Sequence, residues 1–184
     1  APPVALVQLA KTTPSPPNLF RYKYQRLFNY TPLAPEEAPR GTVGIPRALN
    51  MYENYPFWFT LFSSLGFRVI LSARTTGRTY QAGIDSIPSE SVCYPAKLTH
   101  GHVEDLIARG VKRIFMPCIR WERSEDSVAS NHFNCPIVMS YSEVLKLNLE
   151  RLADEGIDFR NPFLPYHDKR ALARRLHEML ADWG

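Results

Sequence analysis

The sequence predicts an α/β protein, a Rossmann-like or flavodoxin-like three-layer α/β/α sandwich whose mostly parallel sheet has about four strands. Two observations carry this prediction. From Gly41 onward, short β-type runs alternate with longer segments in which apolar residues recur at helical spacing. Glycine follows three of the helical segments, at Gly66, Gly110 and Gly156, where helices commonly end. Such alternation implies parallel strands joined by right-handed crossovers.

The predicted strands are short and apolar, and polar segments separate them from the predicted helices. Strands are expected at residues 42–45, 67–71, 111–116 and 136–139. Residues 72–88 and 119–134 are polar and show little periodicity, so they are expected to be loops. Long loops are more often functional than passive, which makes both segments candidates for contributing to a site.

Four helices are predicted between and after these strands. They are expected to begin at Asn54, at Ser89 or Ser91, at Ser142 and near Asp168. Asparagine and serine are good N-caps, because their side chains accept a hydrogen bond from the first free backbone amides. Pro56 would lie in the first turn of the first helix, where proline is tolerated. The helical stripes expected to face the core include Trp58, Leu61, Phe62 and Leu65 in the first helix and Leu172, Leu176 and Met179 in the last.

Residues 1–40 differ in composition from the rest of the chain. They contain eight of its sixteen prolines. Because proline fixes φ and removes a backbone donor, no regular helix or central strand is expected there. We interpret residues 1–40 as an N-terminal arm or linker, whose aromatic part at 19–30 docks onto an apolar surface. Residues 41–184 are interpreted as the Rossmann-like domain, a fragment of a larger multidomain protein.

The composition also narrows the possible partners. The chain has 184 residues, with 22 Lys and Arg against 18 Asp and Glu, and no dense basic stripe of the kind that binds nucleic acid. No apolar run approaches the roughly 20 residues of a membrane span. The first residues lack the basic start and apolar core of a signal peptide. We therefore expect a cytoplasmic protein that binds neither nucleic acid nor a membrane, and whose oligomeric state is open.

The three cysteines of the chain all lie at the ends of predicted elements. Cys118 follows the third strand, and Cys93 lies near the amino end of the helix after the second strand. In a parallel sheet these two positions share the carboxyl edge, where ligands bind. A helix amino terminus also favours the thiolate form that a metal requires. The alternative is that these cysteines are small buried apolar residues.

Cys135 is harder to place with the other two thiols. It precedes the predicted fourth strand, so a strictly parallel layout puts it at the opposite edge of the sheet. A strand of about five residues spans roughly 17 Å, which is too far for a shared site unless the preceding loop keeps the chain near the carboxyl edge. A role as ligand and a role as core residue both remain open for Cys135.

Other candidate residues lie close to these thiols in the sequence. Lys97 follows Cys93 by one helical turn; it can stabilise a thiolate or an anion, or it can be a solvated surface lysine. His100 and His102 are two residues apart and point in different directions on a helix, so a closed zinc site is not expected. Arg47 follows the first strand and can bind an anion or pair with Glu53. The loop containing Arg47 is neither a dinucleotide fingerprint nor a P-loop.

Several stretches together resemble one known family. They are residues 43–58 (VGIPRALNMYENYPFW), 65–72 (LGFRVILS), 93–102 (CYPAKLTHGH), 114–118 (IFMPC) and 134–141 (NCPIVMSY). These motifs occur in order and resemble the uncharacterised domain of the CoA enzyme activase family, whose members are related to 2-hydroxyacyl-CoA dehydratase activators. The resemblance covers roughly residues 19–160, and residues 26–33 (RLFNYTPL) resemble the lead-in to that domain.

The resemblance implies a metal centre and a multidomain context. In the related dehydratase component, three cysteines hold a [4Fe–4S] cluster with an open fourth position. The implied ligands here are Cys93, Cys118 and Cys135, with Lys97, His100 and Arg47 around them. In such proteins an ATPase module of the actin and Hsp70 type lies upstream, and the substrate is an acyl-CoA or another small molecule. This chain has no ATPase motif, so a cofactor-free module that docks other domains is the alternative.

Overall fold

The computed structural model describes residues 16–183. Its strands are β1 (Thr42–Ile45), β2 (Arg68–Leu71), β3 (Arg113–Phe115), β4 (Cys118–Ile119), β5 (Asp158–Arg160) and β6 (Phe163–Leu164). Its α-helices are α1 (Leu19–Phe28), α2 (Asn50–Ser64), α3 (Gly77–Gly83), α4 (Tyr94–Ala108), α5 (Pro136–Asn148), α6 (Arg151–Asp154) and α7 (Lys169–Leu180). Short 3-10 turns are present at Pro35–Glu37 and Ile84–Ser86.

Four of the strands form one parallel sheet in the order β2-β1-β3-β5. The chain moves outward from β1 to β2 and then crosses to β3 on the other side of β1, which is the doubly wound pattern of Rossmann-like and flavodoxin-like folds. The short strands β4 and β6 add a second parallel pair, in register from Cys118 opposite Phe163. The predicted fold class is confirmed.

The core lies where α2 packs against the sheet. Trp58 and Phe62 of α2 are fully buried, and their rings contact Phe115 of β3 at centroid distances of 4.8 and 5.1 Å. Aromatic pairs at such distances contribute about 0.5–1.5 kcal/mol beyond the area they bury. The predicted inward stripe of the first helix is therefore correct, with Leu61 and Leu65 partly buried beside it.

The expectation that no regular helix occurs before residue 40 is wrong. Helix α1 spans Leu19–Phe28, a stretch free of proline, and Asn18 caps it by accepting a hydrogen bond from the Arg21 amide at 2.9 Å. Its Phe28 ring packs on Tyr52 of α2 at 4.6 Å, as the aromatic composition of the arm suggests. Residues 1–15 of the predicted arm lie outside the described residues.

The predicted fourth strand at 136–139 is also wrong, because these residues form the first turn of α5. A short apolar run fits a buried strand and a buried helical turn equally well. Two local features favour the helix: Pro136 occupies the first helical position, where its fixed φ is already suitable, and Cys135 caps the turn. The fourth strand of the sheet is β5 instead, and Ser142 lies inside α5 rather than at its start.

Two helix starts differ from those predicted, and one helix lies in a segment predicted to be a loop. Helix α2 begins at Asn50, so Asn54 and Pro56 lie inside it, and the preceding Leu49 has a φ of 50°. The polar segment 72–88 contains α3. Helix α4 begins at Tyr94, with Cys93 as its N-cap. The start at Asn50 brings the first turn of α2 nearer to the carboxyl end of β1.

The C-terminal end of the described chain packs back onto the sheet. Asp168 caps α7 by accepting hydrogen bonds from two backbone amides, and Leu172 and Leu176 face inward as predicted. Trp183 is 2% exposed and donates a hydrogen bond to Asp158. Among residues 16–183, no helix is long and apolar enough to cross a membrane.

Candidate functional site

All three cysteines lie at the carboxyl edge of the sheet. Cys93 and Cys135 are the N-caps of α4 and α5, which run back from this edge toward the starts of β3 and β5. Cys118 lies three residues beyond the end of β3. The geometric difficulty with Cys135 disappears, because it begins a helix at this edge and does not precede a strand at the opposite one. None of the three forms a disulfide.

Asn134 links the chain around Cys118 to the chain around Cys135. Its backbone amide donates to the carbonyl oxygen of Arg120 at 2.9 Å, and its side-chain amide donates to the carbonyl oxygen of Ile119 at 2.9 Å. The residue directly before Cys135 is thus hydrogen-bonded to the two residues directly after Cys118. This pairing holds the N-cap of α5 beside β4.

The Cys118 thiol is buried between β4 and α5. Its Sγ lies 2.9 Å from the Ser142 Oγ, and the residue is 1% exposed. Burial raises the pKa of this thiol, and the hydrogen bond to Ser142 opposes that effect. Cys118 also borders a cavity of about 440 Å³ whose other walls include Trp121 and His167. The raised pKa keeps the Cys118 thiol neutral at neutral pH, and the thiol borders a cavity that could hold a ligand.

Cys93 and Cys135 differ from Cys118 because both are exposed. The sulfur of Cys135 accepts a long hydrogen bond from the Val138 amide at 3.4 Å. At a helix N-cap, the free backbone amides and the helix dipole together stabilise negative charge. Both positions therefore suit a thiolate or an anionic group bound to it.

A buried hydrogen-bonded chain leads from α4 to α5 next to Cys93. The His100 Nε2 lies 3.0 Å from the Tyr141 hydroxyl, and its Nδ1 lies 2.7 Å from the Ser86 hydroxyl. Burial lowers the pKa of His100 to about 4. Burial also raises the pKa of Tyr141, with a smaller contribution from the nearby Cys93. Consecutive residues of α5, Tyr141 and Ser142, thus approach two of the three cysteines.

The remaining predicted residues lie in different surroundings. Lys97 is half-buried one turn after Cys93, and its Nζ donates to the Glu90 carbonyl oxygen at 2.7 Å. Arg47 donates to the carbonyl oxygen of Ser72 and to the Tyr24 hydroxyl. His100 is therefore linked to the surroundings of Cys93 through its hydrogen bond with Tyr141. Arg47 is instead hydrogen-bonded to Ser72, directly after β2, and to Tyr24 of α1.

A carboxylate that the sequence analysis missed organises the loop beside the site. Glu122 accepts hydrogen bonds from the side-chain amides of Asn50, Asn54 and Asn134 at 3.4, 3.2 and 2.8 Å. Asn50 and Asn54 are four residues apart, so they share a face of α2. That spacing was the available sequence signal, but it indicates a buried polar partner only once α2 is known to begin at Asn50.

The three cysteines suit an iron–sulfur cluster in two respects. Thiolates are the usual ligands of such clusters, and all three thiols lie at the same edge of the sheet. The side chains are not gathered into a metal site as they stand. Within residues 16–183, no group of three Cys, His, Asp or Glu side chains is close enough to hold a metal ion.

The fold and the site together define an α/β domain of Rossmann-like topology with three unpaired thiols at the carboxyl edge of its sheet. A comparison with family models is more specific. Residues 42–184 match the model described as the CoA enzyme activase uncharacterised domain, and the chain belongs to that family. The resemblance given by the sequence motifs is thereby confirmed. Searches of curated proteins and of solved structures each return no match to this chain.

Proposed function

We propose that this domain binds a [4Fe–4S] cluster through Cys93, Cys118 and Cys135, and takes part in electron transfer or substrate activation in a CoA enzyme activase system. The observation that carries the proposal is the start of α5 at Cys135, which gives all three thiols the same edge of the sheet. When bound, a cluster held by three cysteines supplies electron transfer and an open iron position for a substrate oxygen.

The residues of the chain have distinct roles in this proposal. Cys93 and Cys135 provide exposed thiols at helix N-termini, where negative charge is stabilised. Cys118 provides the inner ligand, and Ser142 donates a hydrogen bond to its thiolate. Lys97 and His100 act around the ligands, Lys97 by its positive charge and His100 by orienting Tyr141. Such outer contacts typically orient the ligands of a metal site.

The partners follow from the same family. We propose that the domain works beside an ATPase module of a longer protein, which supplies electrons, and that the substrate is an acyl-CoA or another small molecule. The family membership supports a role within an activase system. The Cys118 cavity of about 440 Å³ falls within the range of about 300–1,000 Å³ that is typical of small-molecule sites.

The experiment is a measurement of iron and acid-labile sulfide on the full chain, purified and reconstituted without oxygen. The wild-type protein should bind about four irons and four sulfides per chain and absorb broadly in the visible range. Cys118→Ser should lose the cluster, because it replaces the inner thiolate ligand by a hydroxyl. The side-chain volume is nearly unchanged, so the fold should be kept. Ser140→Ala is the matched control, since Ser140 is exposed on α5 and donates only to the Pro136 carbonyl oxygen.

A cofactor-free docking module is the second candidate. Helix α1 favours it, because Leu19, Phe20 and Tyr22 are 69, 88 and 60% exposed on one short helix. This candidate predicts a colourless protein whose thiols react singly with a thiol reagent and whose stability does not change with iron. Full iron and sulfide content in Cys118→Ser would contradict the ligand assignment. A metal-free wild type after reconstitution would leave the docking module as the better explanation.

A further inference from the structure

The charged side chains that line a cleft between α1 and the carboxyl ends of β1 and β2 are all positive. Its volume is about 900 Å³, and such a volume is within the usual range for small-molecule sites, about 300–1,000 Å³. The cationic side chains that line it are Arg21, Lys23, Arg47 and Arg74. Within residues 16–183, no carboxylate is among its lining side chains. The cleft therefore attracts anions.

Within residues 16–183, Arg47 is held in this cleft without an ion pair to a carboxylate. Glu53, the partner that the sequence suggests for Arg47, pairs with Lys23 at 2.8 Å instead. Arg47 donates from its Nε and Nη2 to the Ser72 carbonyl oxygen and from its Nη1 to the Tyr24 hydroxyl. A guanidinium has five N–H donors, so two of them remain for a ligand. Burial lowers the pKa of Arg47, which reflects the cost of removing its charge from water.

Arg74 brings a second unpaired cation to the same place. Its guanidinium lies 4.7 Å from the centre of the Tyr24 ring, and the Arg47 guanidinium lies 5.4 Å from the centre of the same ring. Arg74 has no ion pair and no side-chain hydrogen bond within the described part of the chain. Two like charges that lie near one aromatic ring repel each other, and an anion bound between them would offset this repulsion.

We propose that this cleft binds the phosphate group of a phosphorylated small molecule through Arg47 and Arg74. A phosphate carries about two negative charges at neutral pH, which matches two cations, whereas a carboxylate neutralises only one. Arginine forks also fit phosphate oxygens in a bidentate geometry. The Tyr52 ring lines the same cleft and provides a surface for the rest of the ligand.

This site is separate from the three thiols. Arg47 is hydrogen-bonded to Ser72, directly after β2, and to Tyr24 of α1, and both arginines lie over aromatic rings. Within residues 16–183, neither arginine makes a hydrogen bond or a cation–π contact with any residue that contacts a cysteine. Phosphate binding is therefore expected whether or not the protein holds an iron–sulfur cluster. A failure of one proposal leaves the other standing.

The test is a calorimetric titration of the full chain with pyrophosphate at low ionic strength. Arg74→Gln should weaken binding about tenfold or more, because a charged hydrogen bond contributes about 1.5–3 kcal/mol. Arg74 is exposed and makes no hydrogen bond in the described structure, so this variant should keep the fold. Arg78→Gln is the matched control: Arg78 is also exposed, lies outside this cleft and changes the net charge equally.

Two further measurements sharpen the result. Arg47→Lys keeps the positive charge but removes the planar guanidinium that can bind two phosphate oxygens at once. It should therefore also weaken pyrophosphate binding. Titrations with coenzyme A and ATP show how much of the ligand is recognised: tighter binding than pyrophosphate indicates that the nucleotide part also contacts the cleft, and equal binding indicates that only its phosphate groups do. Equal weakening in Arg74→Gln and Arg78→Gln would overturn the proposal, because the attraction would then be unspecific. Absence of pyrophosphate binding to the wild type would overturn it as well.

Discussion

At the scale of single residues, two buried histidines define how the protein responds to pH. The His100 ring lies between the hydroxyls of Ser86 and Tyr141, and the His102 ring lies between those of Ser72 and Thr75. A hydroxyl can donate to one ring nitrogen or accept from the other, which satisfies a neutral imidazole. No carboxylate is hydrogen-bonded to either ring in the described structure, so a positive charge on it would be poorly compensated.

We predict that the protein loses stability as the pH falls from neutral toward 4. Burial lowers the pKa of both histidines from 6.5 to about 4. The unfolded chain therefore binds more protons than the folded chain between these values, and acid favours unfolding. Each histidine should reduce the free energy of unfolding by roughly 2 kcal/mol between pH 7 and 5. Urea unfolding at both pH values measures this change.

The matched variants for this prediction are histidine-to-glutamine substitutions. Glutamine retains hydrogen bonding but does not titrate, so the double variant His100→Gln, His102→Gln should show a much smaller pH dependence. His132→Gln, at an exposed position, should keep the dependence of the wild type. If the double variant and the wild type lose equal stability between pH 7 and 5, the two histidines are not responsible.

At the scale of the elements, α3 and α4 approach each other closely at two glycines. A Cβ added to Gly101 would overlap the Thr79 carbonyl oxygen, and one added to Gly83 would overlap the backbone nitrogen of Gly101. The two helices therefore pack backbone to backbone. This contact holds Ser86, just after α3, against His100, and through His100 it supports Tyr141 beside Cys93.

We predict that Gly101→Ala destabilises the protein by at least about 3 kcal/mol, because one methyl group forces the two helices apart and the backbone cannot yield locally. Gly77→Ala is the control on α3. Nothing lies within 4 Å of a Cβ at Gly77, so this change should leave stability unchanged or raise it by up to about 1 kcal/mol. Denaturant unfolding checks both variants, and similar values for the two would show that α3 moves freely.

At the scale of the whole molecule, the C-terminal end of the described chain packs against β5 of the sheet. Trp183 donates from its Nε1 to the Asp158 carboxylate at 2.6 Å, and its ring lies 4.4 Å from the Arg160 guanidinium. Arg160 also pairs with Asp158 at 3.0 Å and with Asp182 at 2.7 Å. Residues distant in the chain thereby join β5 to the end of α7.

We predict that Trp183→Ala lowers the free energy of unfolding by about 3–5 kcal/mol. The substitution removes a large buried ring that packs on the charged side chains of β5. Phe20→Ala is the control, because Phe20 is also aromatic but 88% exposed, and it should change stability by less than about 0.5 kcal/mol. Thermal or urea unfolding measures the difference. A loss below about 1 kcal/mol for Trp183→Ala would show that the C-terminal contact is dispensable.

The sequence by itself determined the fold class, three of the four sheet strands and the positions of two thiols at one edge. These features depend on local periodicity and on helix-end residues, which act over a few neighbours. Residues 67–71 and 111–116 are short, mainly apolar stretches that end at Ser72 and Pro117, so they indicate strands without reference to the rest of the chain. The helix after β2 is predicted in the same way, although it begins at Tyr94 and not at Ser89 or Ser91.

The tertiary structure alone decided the conformation at residues 136–139 and the partner of Arg47. A run of four apolar residues is buried equally well as a strand or as a helical turn, and here the sheet takes β5 as its fourth strand, which leaves Cys135 as a helix N-cap at the thiol edge. An ion pair likewise depends on which distant element comes near. Helix α1 brings Lys23 to Glu53 and leaves Arg47 with neutral partners, because long-range packing, and not spacing along the chain, sets the distance between charges.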